Sequence, residues 1–182
     1  YHIVEGESRP GIVLVLVGEG SARPDLERQA MDARVSNLRI FSTEPAERLA
    51  DLLASADIGL VTLRPGMGGL SVPSKTYAYM AAGRPILAAV PPDSEVRTIV
   101  DESGCGRCCD PNRPEALAAA ILEMADDRER LRRMGDAGRR WVEAHGSRVR
   151  MTAAYRALLH DVAAERSVPG APAGGARRGG GH

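Results

Sequence analysis

The sequence predicts an α/β fold in which helices cover both faces of a parallel sheet. Short apolar runs rich in β-branched residues alternate with longer segments of helical period, which is the pattern of strand–helix units. The run at 12–17 is apolar at every position, as expected of a strand covered on both faces. A chain of 182 residues, 43% of them hydrophobic, is expected to build one core of ordinary size.

Five strands and seven helices follow from this pattern in chain order. Pro24 and Pro114 mark two helix starts, because the proline ring fits the first helical turn. Ser94 is expected to cap the helix after the fourth strand, and Gly83 to end the helix before that strand. The expected strands are 12–17, 38–41, 58–63, 85–90 and 106–109, and the expected helices are 22–34, 45–55, 74–82, 93–103, 114–124, 127–145 and 148–165.

The C-terminal segment differs from the rest in composition. Residues 167–182 include six Gly, two Pro, three Ala and two Arg, and such a segment buries too little apolar surface to offset the entropy of ordering. We therefore expect a folded domain at 1–166 and a disordered tail at 167–182.

The overall composition argues against several functions. Lys and Arg total 24 and Asp and Glu total 24, so the chain lacks the positive charge of a nucleic-acid-binding protein. Aromatic residues make up 3%, too few for base-stacking platforms. No apolar run approaches the roughly 18 residues of a membrane-spanning helix, and the first residues lack the pattern of a signal peptide. We expect a cytoplasmic protein, and association with the inner face of a membrane stays open.

Three cysteines lie close together, at Cys105, Cys108 and Cys109. A structural zinc site needs four ligands, and no histidine lies near these thiols in sequence. We expect three reduced thiols in or beside a strand, and no metal site.

The strongest chemical signal is the glycine-rich segment 66–75, which leads into the helix after the third strand. Ligands of open parallel sheets bind beyond the carboxyl ends of the strands, and a helix N-terminus attracts phosphate. Lys75 is the one lysine among 24 basic residues and can add the cation that a diphosphate needs. The alternative is that Ser74 only caps the helix and Lys75 is only a solvated side chain. Arg64 and Arg84 are expected as further cations near this site, and ordinary surface charge is the favoured alternative for both.

The turn after the first strand, Gly18-Glu19-Gly20, is a weaker signal. Glycines allow the backbone to approach a flat or phosphorylated ligand closely. A tight strand-to-helix turn without a ligand is the alternative interpretation.

Five segments together resemble a known family. In this order they resemble the C-terminal half of a GT-B glycosyltransferase, and they are most similar to family 4 retaining enzymes of exopolysaccharide and colanic-acid-type synthesis. The similarity covers about residues 10 to 160, and it is most specific over 73–77 and 80–85. The segments are Leu16-Val17-Gly18-Glu19-Gly20, Ala56-Asp57-Ile58-Gly59-Leu60-Val61, Val72-Pro73-Ser74-Lys75-Thr76-Tyr77, Met80-Ala81-Ala82-Gly83-Arg84-Pro85-Ile86-Leu87-Ala88 and Asn112-Arg113-Pro114-Glu115-Ala116-Leu117.

The resemblance implies a Rossmann-like domain at 1–166 that binds a nucleotide sugar. Its first strand, and the N-terminal domain that binds a sugar or lipid-linked acceptor, would be missing. The implied reaction transfers a hexosyl unit from a nucleoside-diphosphate sugar with retention. The sugar nucleotide is then a substrate, and no cofactor is expected.

The resemblance also assigns roles to residues of this sequence. Gly18 and Gly20 would approach the donor, and Phe41 and Thr43 would lie near the base and contact it mainly through their backbone. Lys75 would be catalytic, because it would stabilise the departing diphosphate. The residues implied to bind substrate are Gly18, Gly20, Phe41, Thr43, Gly68, Gly69, Ser71, Ser74 and Lys75.

The sequence departs from the family pattern at two positions. Many relatives carry two glutamates eight positions apart, and Leu70 and Ala78 match them here. Other groups would have to recognise the sugar and ribose hydroxyls. The alternative function is therefore a non-catalytic nucleotide-sugar-binding or regulatory module. A related sugar epimerase is less favoured, because the acid–base residues it needs cannot be placed.

Overall fold

The computed structural model describes residues 11–64, 66, 72–146, 152 and 156. Contacts divide the chain into two units, Tyr1–Ala144 and His145–His182. Of the helix expected at 148–165, the structure describes Thr152 and Arg156, and both are helical. The domain boundary expected at 166 and the tail at 167–182 lie outside the described residues and stay predictions.

Strands and helices alternate along the first unit in the expected order. The helix expected at 45–55 begins as a short 3-10 turn, Ala46–Arg48, because Pro45 before it has an extended backbone. The other differences are shifts of element ends by a few residues. The elements are β1 (Leu14–Val17), α1 (Arg23–Asp32), β2 (Leu38–Phe41), α2 (Leu49–Ser55), β3 (Gly59–Thr62), α3 (Ser74–Ala81), β4 (Ile86–Ala89), α4 (Glu95–Ser103), β5 (Gly106–Cys109), α5 (Pro114–Ala125) and α6 (Arg128–His145).

The strands of the described residues form two parallel sheets rather than one. β1 pairs with β2 in the register Leu14 to Leu38, and the order of the second sheet is β3-β4-β5. β4 is its central strand, with Ile86 opposite Gly59 on one side and Gly106 on the other. The expected parallel α/β class is confirmed, and the division into two sheets was not expected.

Helices cover both faces of the β3-β4-β5 sheet. On one face, Ile86 and Ala88 of β4 pack in a cluster with Met80 of α3 and Val96 of α4. On the other face, Leu87 packs with residues of α5 and α6. All four residues of β4 are buried, so this strand is the centre of the core and fixes the layers around it.

Two local signals set the ends of α4, and the sequence analysis predicted the first of them, the cap at Ser94. The Ser94 hydroxyl accepts a hydrogen bond from the Val96 amide at 3.2 Å and so caps the first turn. Gly104 follows the last turn with φ of 65°, a left-handed conformation that favours glycine. The chain can therefore turn directly into β5.

Helix α6 approaches the core through two glycines. Gly135 lies against the backbone of Gly83, where an added Cβ would lie 2.9 Å from the carbonyl carbon and closer still to its oxygen. At Gly138 an added Cβ would lie 2.8 Å from the Cβ of Cys105. Both glycines are buried, so α6 can pack closely only because these positions carry no side chain.

The β1–β2 sheet is far less covered than the sequence predicts. The run at 12–17 was expected to be covered on both faces, and this expectation is wrong for the described structure. Val15 is 48% exposed and Leu14 is 38% exposed, and no described residue from 11 to 58 is buried. The physical reason is that the described helices and strands do not enclose the faces of this sheet in a core.

Candidate functional site

The carboxyl ends of β1 and β2 bring the glycine turn and the second strand together. Gly18 adopts a φ of 142°, which is unfavourable for residues with a side chain. Its amide donates a hydrogen bond to the Phe41 carbonyl at 3.1 Å. Gly20 then accepts a bond from the Arg23 amide at 3.0 Å as α1 begins. The turn and the end of β2 therefore lie side by side, as a shared binding edge requires.

Arg23 joins these two segments, and the sequence analysis missed it. Its Nη1 donates to Glu19 at 2.9 Å and to the Ser42 hydroxyl at 3.4 Å, while its Nε donates to Glu27 at 2.8 Å. The pKa of Arg23 is raised, and the hydrogen bond to Glu27 is the largest cause. The Arg23 side chain therefore stays positively charged. The available signal was spacing: Glu19 and Glu27 stand four residues before and after this arginine.

We expect Arg23→Ala to weaken nucleoside diphosphate binding by about three- to tenfold, since the turn loses its connection to Ser42. The melting temperature should change by about 2 °C or less, because exposed ion pairs add little stability. Titration calorimetry with GDP and UDP measures the first effect. Arg28→Ala is the matched control, since Arg28 pairs only with Asp25 on the same helix in the described structure. Equal losses in both variants would show that Arg23 has no special role.

Phe41 and Thr43 are both accessible at this edge. The Phe41 side chain is 52% exposed, although a large aromatic residue gains stability from burial. Thr43 is exposed as well. The Phe41 ring is therefore available to contact a flat ligand. This contact would add to the contact through backbone that the resemblance implies.

The start of α3 lies after the carboxyl end of β3. Pro73 is the N-cap residue and no side chain of the described residues caps the helix, so the interpretation of Ser74 as the cap is wrong. Ser74 and Lys75 are exposed in the first turn, where backbone amides lack intrahelical acceptors. None of the described side chains forms a hydrogen bond or ion pair with the Lys75 ammonium. This helix start therefore presents a cation and amide donors to solvent.

Thr76 differs from its two neighbours because it is completely buried. Its hydroxyl has no hydrogen-bond partner among the described residues, and its amide bonds to the Pro73 carbonyl at 2.9 Å. Thr76 anchors the first turn in the core, so that Ser74 and Lys75 stay on the outer side of the helix.

Several expected site residues lie outside the described residues or away from the site. Gly68, Gly69 and Ser71 are not described, and their roles stay predictions. Arg64 lies two residues after the end of β3 and is exposed, consistent with the expected position. Arg84 was expected near the site, but it precedes β4 at the amino edge of the sheet, opposite to α3's first turn. The prediction for Arg84 is wrong because α3 carries the chain back across the sheet.

The two groups of site residues belong to different sheets. Gly18, Gly20 and Phe41 lie at the β1–β2 sheet, and Ser74 and Lys75 follow a strand of the other sheet. No hydrogen bond between described residues joins the two groups. Each group of site residues is thus positioned by its own sheet.

The three cysteines are protonated thiols in or beside β5. Burial is the main cause of a raised pKa at all three, and it raises the pKa of Cys108 to about 12. Cys105 is fully buried. Among the described residues there is no group of three or more potential metal-binding side chains. Cys105 therefore acts as a small apolar residue of the core, and the half-buried Cys108 and Cys109 pack against the core.

We expect iodoacetamide to alkylate Cys105 and Cys108 at pH 8 more than tenfold more slowly than in the urea-unfolded chain. The thiolate is the reactive form, and a raised pKa leaves little of it at this pH. Mass spectrometry of the alkylated peptides gives the rates. Rates that match those of the unfolded chain would contradict the buried arrangement.

None of the helices in the described part of the chain has the length and apolar composition that crossing a membrane requires.

Comparisons with known proteins agree on one family and fold. The model described as glycosyl transferases group 1 matches residues 2–127. Probable glycosyltransferase WbjE of Pseudomonas aeruginosa is 41% identical over 110 residues, which are 60% of this chain and 28% of WbjE. A GDP-mannose-dependent alpha-(1-6)-phosphatidylinositol dimannoside mannosyltransferase of Mycobacterium tuberculosis is 35% identical over 125 residues, 66% of this chain and 29% of that protein. The chain thus spans less than a third of either relative.

A solved structure supports the fold. The crystal structure of Anabaena HepE in complex with UDP matches with a TM-score of 0.68 and 14% identity, over 84% of this chain and 42% of HepE. At this identity the match concerns the fold alone. The match supports the Rossmann-like α/β architecture that the sequence predicts, which is the architecture of GT-B proteins.

Proposed function

The chain belongs to the glycosyl transferases group 1 family, and on this premise we propose that it is the donor-binding part of a glycosyltransferase. The proposed reaction transfers a hexosyl unit from a nucleoside-diphosphate sugar to an acceptor hydroxyl, with retention of the anomeric configuration. The proposed setting is polysaccharide or glycolipid synthesis in the cytoplasm, at the inner membrane face where the acceptor is lipid-linked.

One observation carries this proposal: the exposed Lys75 at the start of α3. A helix of eight residues offers its first amides to an anion, and an ammonium beside them adds a full positive charge. When the bond between the sugar and the diphosphate breaks, negative charge develops on the departing phosphate oxygen. Lys75 and the first amides of α3 would stabilise that charge, and Lys75 is therefore the proposed catalytic residue. Ser74 adds a hydroxyl donor at the same edge.

The second part of the proposed site is the edge formed by β1 and β2. The Gly18 turn lies against Phe41 through a 3.1 Å hydrogen bond, so a base bound there would meet glycine backbone on one side and an exposed ring on the other. Gly20 and Thr43 extend the same edge. Gly68, Gly69 and Ser71 are proposed, on the family resemblance, to leave room for the sugar and phosphates.

The donor class follows from the relatives, and the acceptor side needs further protein. The mycobacterial relative depends on GDP-mannose, so GDP-mannose is the first donor to test. The acceptor, a sugar or a lipid-linked sugar, is proposed to bind an N-terminal domain outside these residues. The donor is consumed as a substrate, so the proposal includes no resident cofactor and no metal ion.

The alternative is a binding or regulatory module that no longer catalyses transfer. It rests on Leu70 and Ala78, which replace the glutamates that many relatives carry. The family match and the transferase names of the relatives favour the enzyme.

Transfer assays with GDP-mannose and UDP-glucose test the proposal. The chain alone, and the chain joined to the polypeptide that naturally precedes residue 1, are each assayed with a membrane extract as the acceptor source. We expect a nucleoside diphosphate to bind at least tenfold more tightly than its nucleoside, and sugar transfer in the longer protein. Binding without transfer in the longer protein would favour the module. Absence of diphosphate binding in both proteins would refute both functions.

A further inference from the structure

Glu19 stands at the tip of the turn between β1 and α1, and Arg23 fixes the position of its carboxylate. Oε1 of Glu19 accepts a hydrogen bond from Nη1 of Arg23 at 2.9 Å. The same nitrogen donates to the Ser42 hydroxyl at 3.4 Å. Because one nitrogen atom holds both oxygen atoms, the carboxylate lies beside the residue that follows β2. The Glu19 carboxylate is therefore placed at the edge where Gly18 meets Phe41.

The Glu19 carboxylate keeps most of its capacity to accept hydrogen bonds. An ionised carboxylate has about four lone-pair sites, and Arg23 is the one partner of Glu19 among the described residues. The Glu19 side chain is 59% exposed. Its Oε2, and the second lone pair of its Oε1, can therefore accept hydrogen bonds from a ligand.

The space beside the turn is open enough for a flat ligand. A Cβ built on Gly18 or on Gly20 would meet no described atom within 4 Å. The exposed ring of Phe41 lies on the β2 side of the same edge. A ring system that contacts Phe41 can therefore present its edge to the Glu19 carboxylate.

The charge at this edge favours a neutral base over a phosphate group. Glu19 and Glu27 both pair with Arg23, so the three side chains carry one more negative than positive charge. A phosphate placed here would be repelled by the uncompensated carboxylate. Lys75 gives the start of α3 the opposite charge. The two parts of the proposed site therefore suit different parts of a nucleotide, and the base belongs beside Glu19.

We propose that Glu19 selects guanine as the base of the donor nucleotide, an inference that rests on the proposed function. Guanine presents two donors side by side, N1–H and the 2-amino group, and a carboxylate can accept both at once. Uracil presents a single donor, N3–H, between two carbonyl oxygens that a carboxylate repels. Glu19 is thus a specificity-determining residue, and Arg23 is the positioning residue that holds it.

Glu44 is the other acidic side chain near the end of β2. It follows Thr43 and pairs with Arg48 at 3.2 Å, on the turn before α2. Among the described residues it has no hydrogen bond to the glycine turn. Glu44 therefore provides a comparison, because its substitution removes the same charge from the neighbouring segment.

Titration calorimetry with GDP, UDP and inosine diphosphate (IDP) tests this role in the 182-residue chain. IDP has the purine ring of GDP without the 2-amino group, so it separates hydrogen bonding from ring size. We expect GDP to bind at least tenfold more tightly than UDP and about three- to tenfold more tightly than IDP. Glu19→Gln should weaken GDP by about tenfold and change UDP by about twofold or less, since a carboxamide has one oxygen acceptor in place of two. Equal binding of the three diphosphates, or an unchanged preference for GDP in Glu19→Gln, would overturn the proposal.

Glu27→Gln and Glu44→Gln are the matched controls. Each removes one exposed carboxylate, and each should keep the preference for GDP and change the melting temperature by about 2 °C or less. A preference lost in Glu44→Gln and kept in Glu19→Gln would assign base selection to Glu44 and contradict the role of Glu19. Diphosphates that bind equally well whatever their base, and that Lys75→Ala weakens, would overturn base selection alone. Absence of binding by all three would overturn the proposed function and base selection with it.

Discussion

Lys75→Ala should weaken the binding of GDP and UDP by about 10- to 100-fold and leave the binding of guanosine and uridine within about twofold. A hydrogen bond from a charged donor to an anion contributes about 1.5–3 kcal/mol, and tenfold in affinity corresponds to about 1.4 kcal/mol. The nucleoside lacks the phosphates that Lys75 would contact, so its affinity should be nearly unaffected by the substitution. Titration calorimetry with the four compounds measures the difference.

Two control variants separate this role from a general effect of charge. Lys75→Arg keeps a cation at the start of α3 and should retain most of the affinity for the diphosphates. Arg132→Ala removes an exposed cation from α6 and should have no effect. Equal losses for diphosphates and nucleosides in Lys75→Ala would mean that the residue supports the fold rather than the phosphates.

Gly135→Ala should destabilise the protein by about 2 to 3 kcal/mol, although alanine favours helices more than glycine does by about 1 kcal/mol. The new methyl group would meet the Gly83 carbonyl group, which is backbone and cannot rotate away. α6 would have to shift from the core, and with it Leu131, which packs near Leu87. Thermal unfolding should show a decrease of about 5 to 10 °C.

Asp136→Ala is the matched control on the next residue of the same helix. Asp136 is exposed, so this substitution should change stability by about 0.5 kcal/mol or less. A Gly135→Ala protein as stable as the parent would show that α6 does not approach the Gly83 turn as closely as described.

The sequence predicted the strand and helix order well because local signals were strong. The apolar run of β4 is buried at every position, so its pattern and its environment agree. Ser94 caps α4 through the neighbouring Val96 amide, and local chemistry of this kind can be inferred from sequence. The start of α3 at Ser74 was likewise predicted to the residue.

Features that depend on distant residues were harder to predict. The two-sheet arrangement depends on which strands lack a neighbour, and no local pattern around β1 encodes this. Arg84 was placed at the wrong edge because its position depends on the direction of α3 across the sheet. Arg23 was overlooked because its bond to Ser42 joins residues 19 positions apart. The proposed role of Lys75 could be suggested from the sequence because one lysine among arginines stands at a recognisable helix start, and it stays a prediction.

Amide shift mapping by NMR with GDP and guanosine tests the phosphate site most directly, ideally in the longer protein. We predict that GDP shifts the backbone amides of Ser74 and Lys75, and that guanosine at matched saturation leaves them unchanged while shifting residues near Phe41. If saturating GDP leaves the first turn of α3 unperturbed, the diphosphate binds elsewhere and the proposed role of Lys75 is wrong.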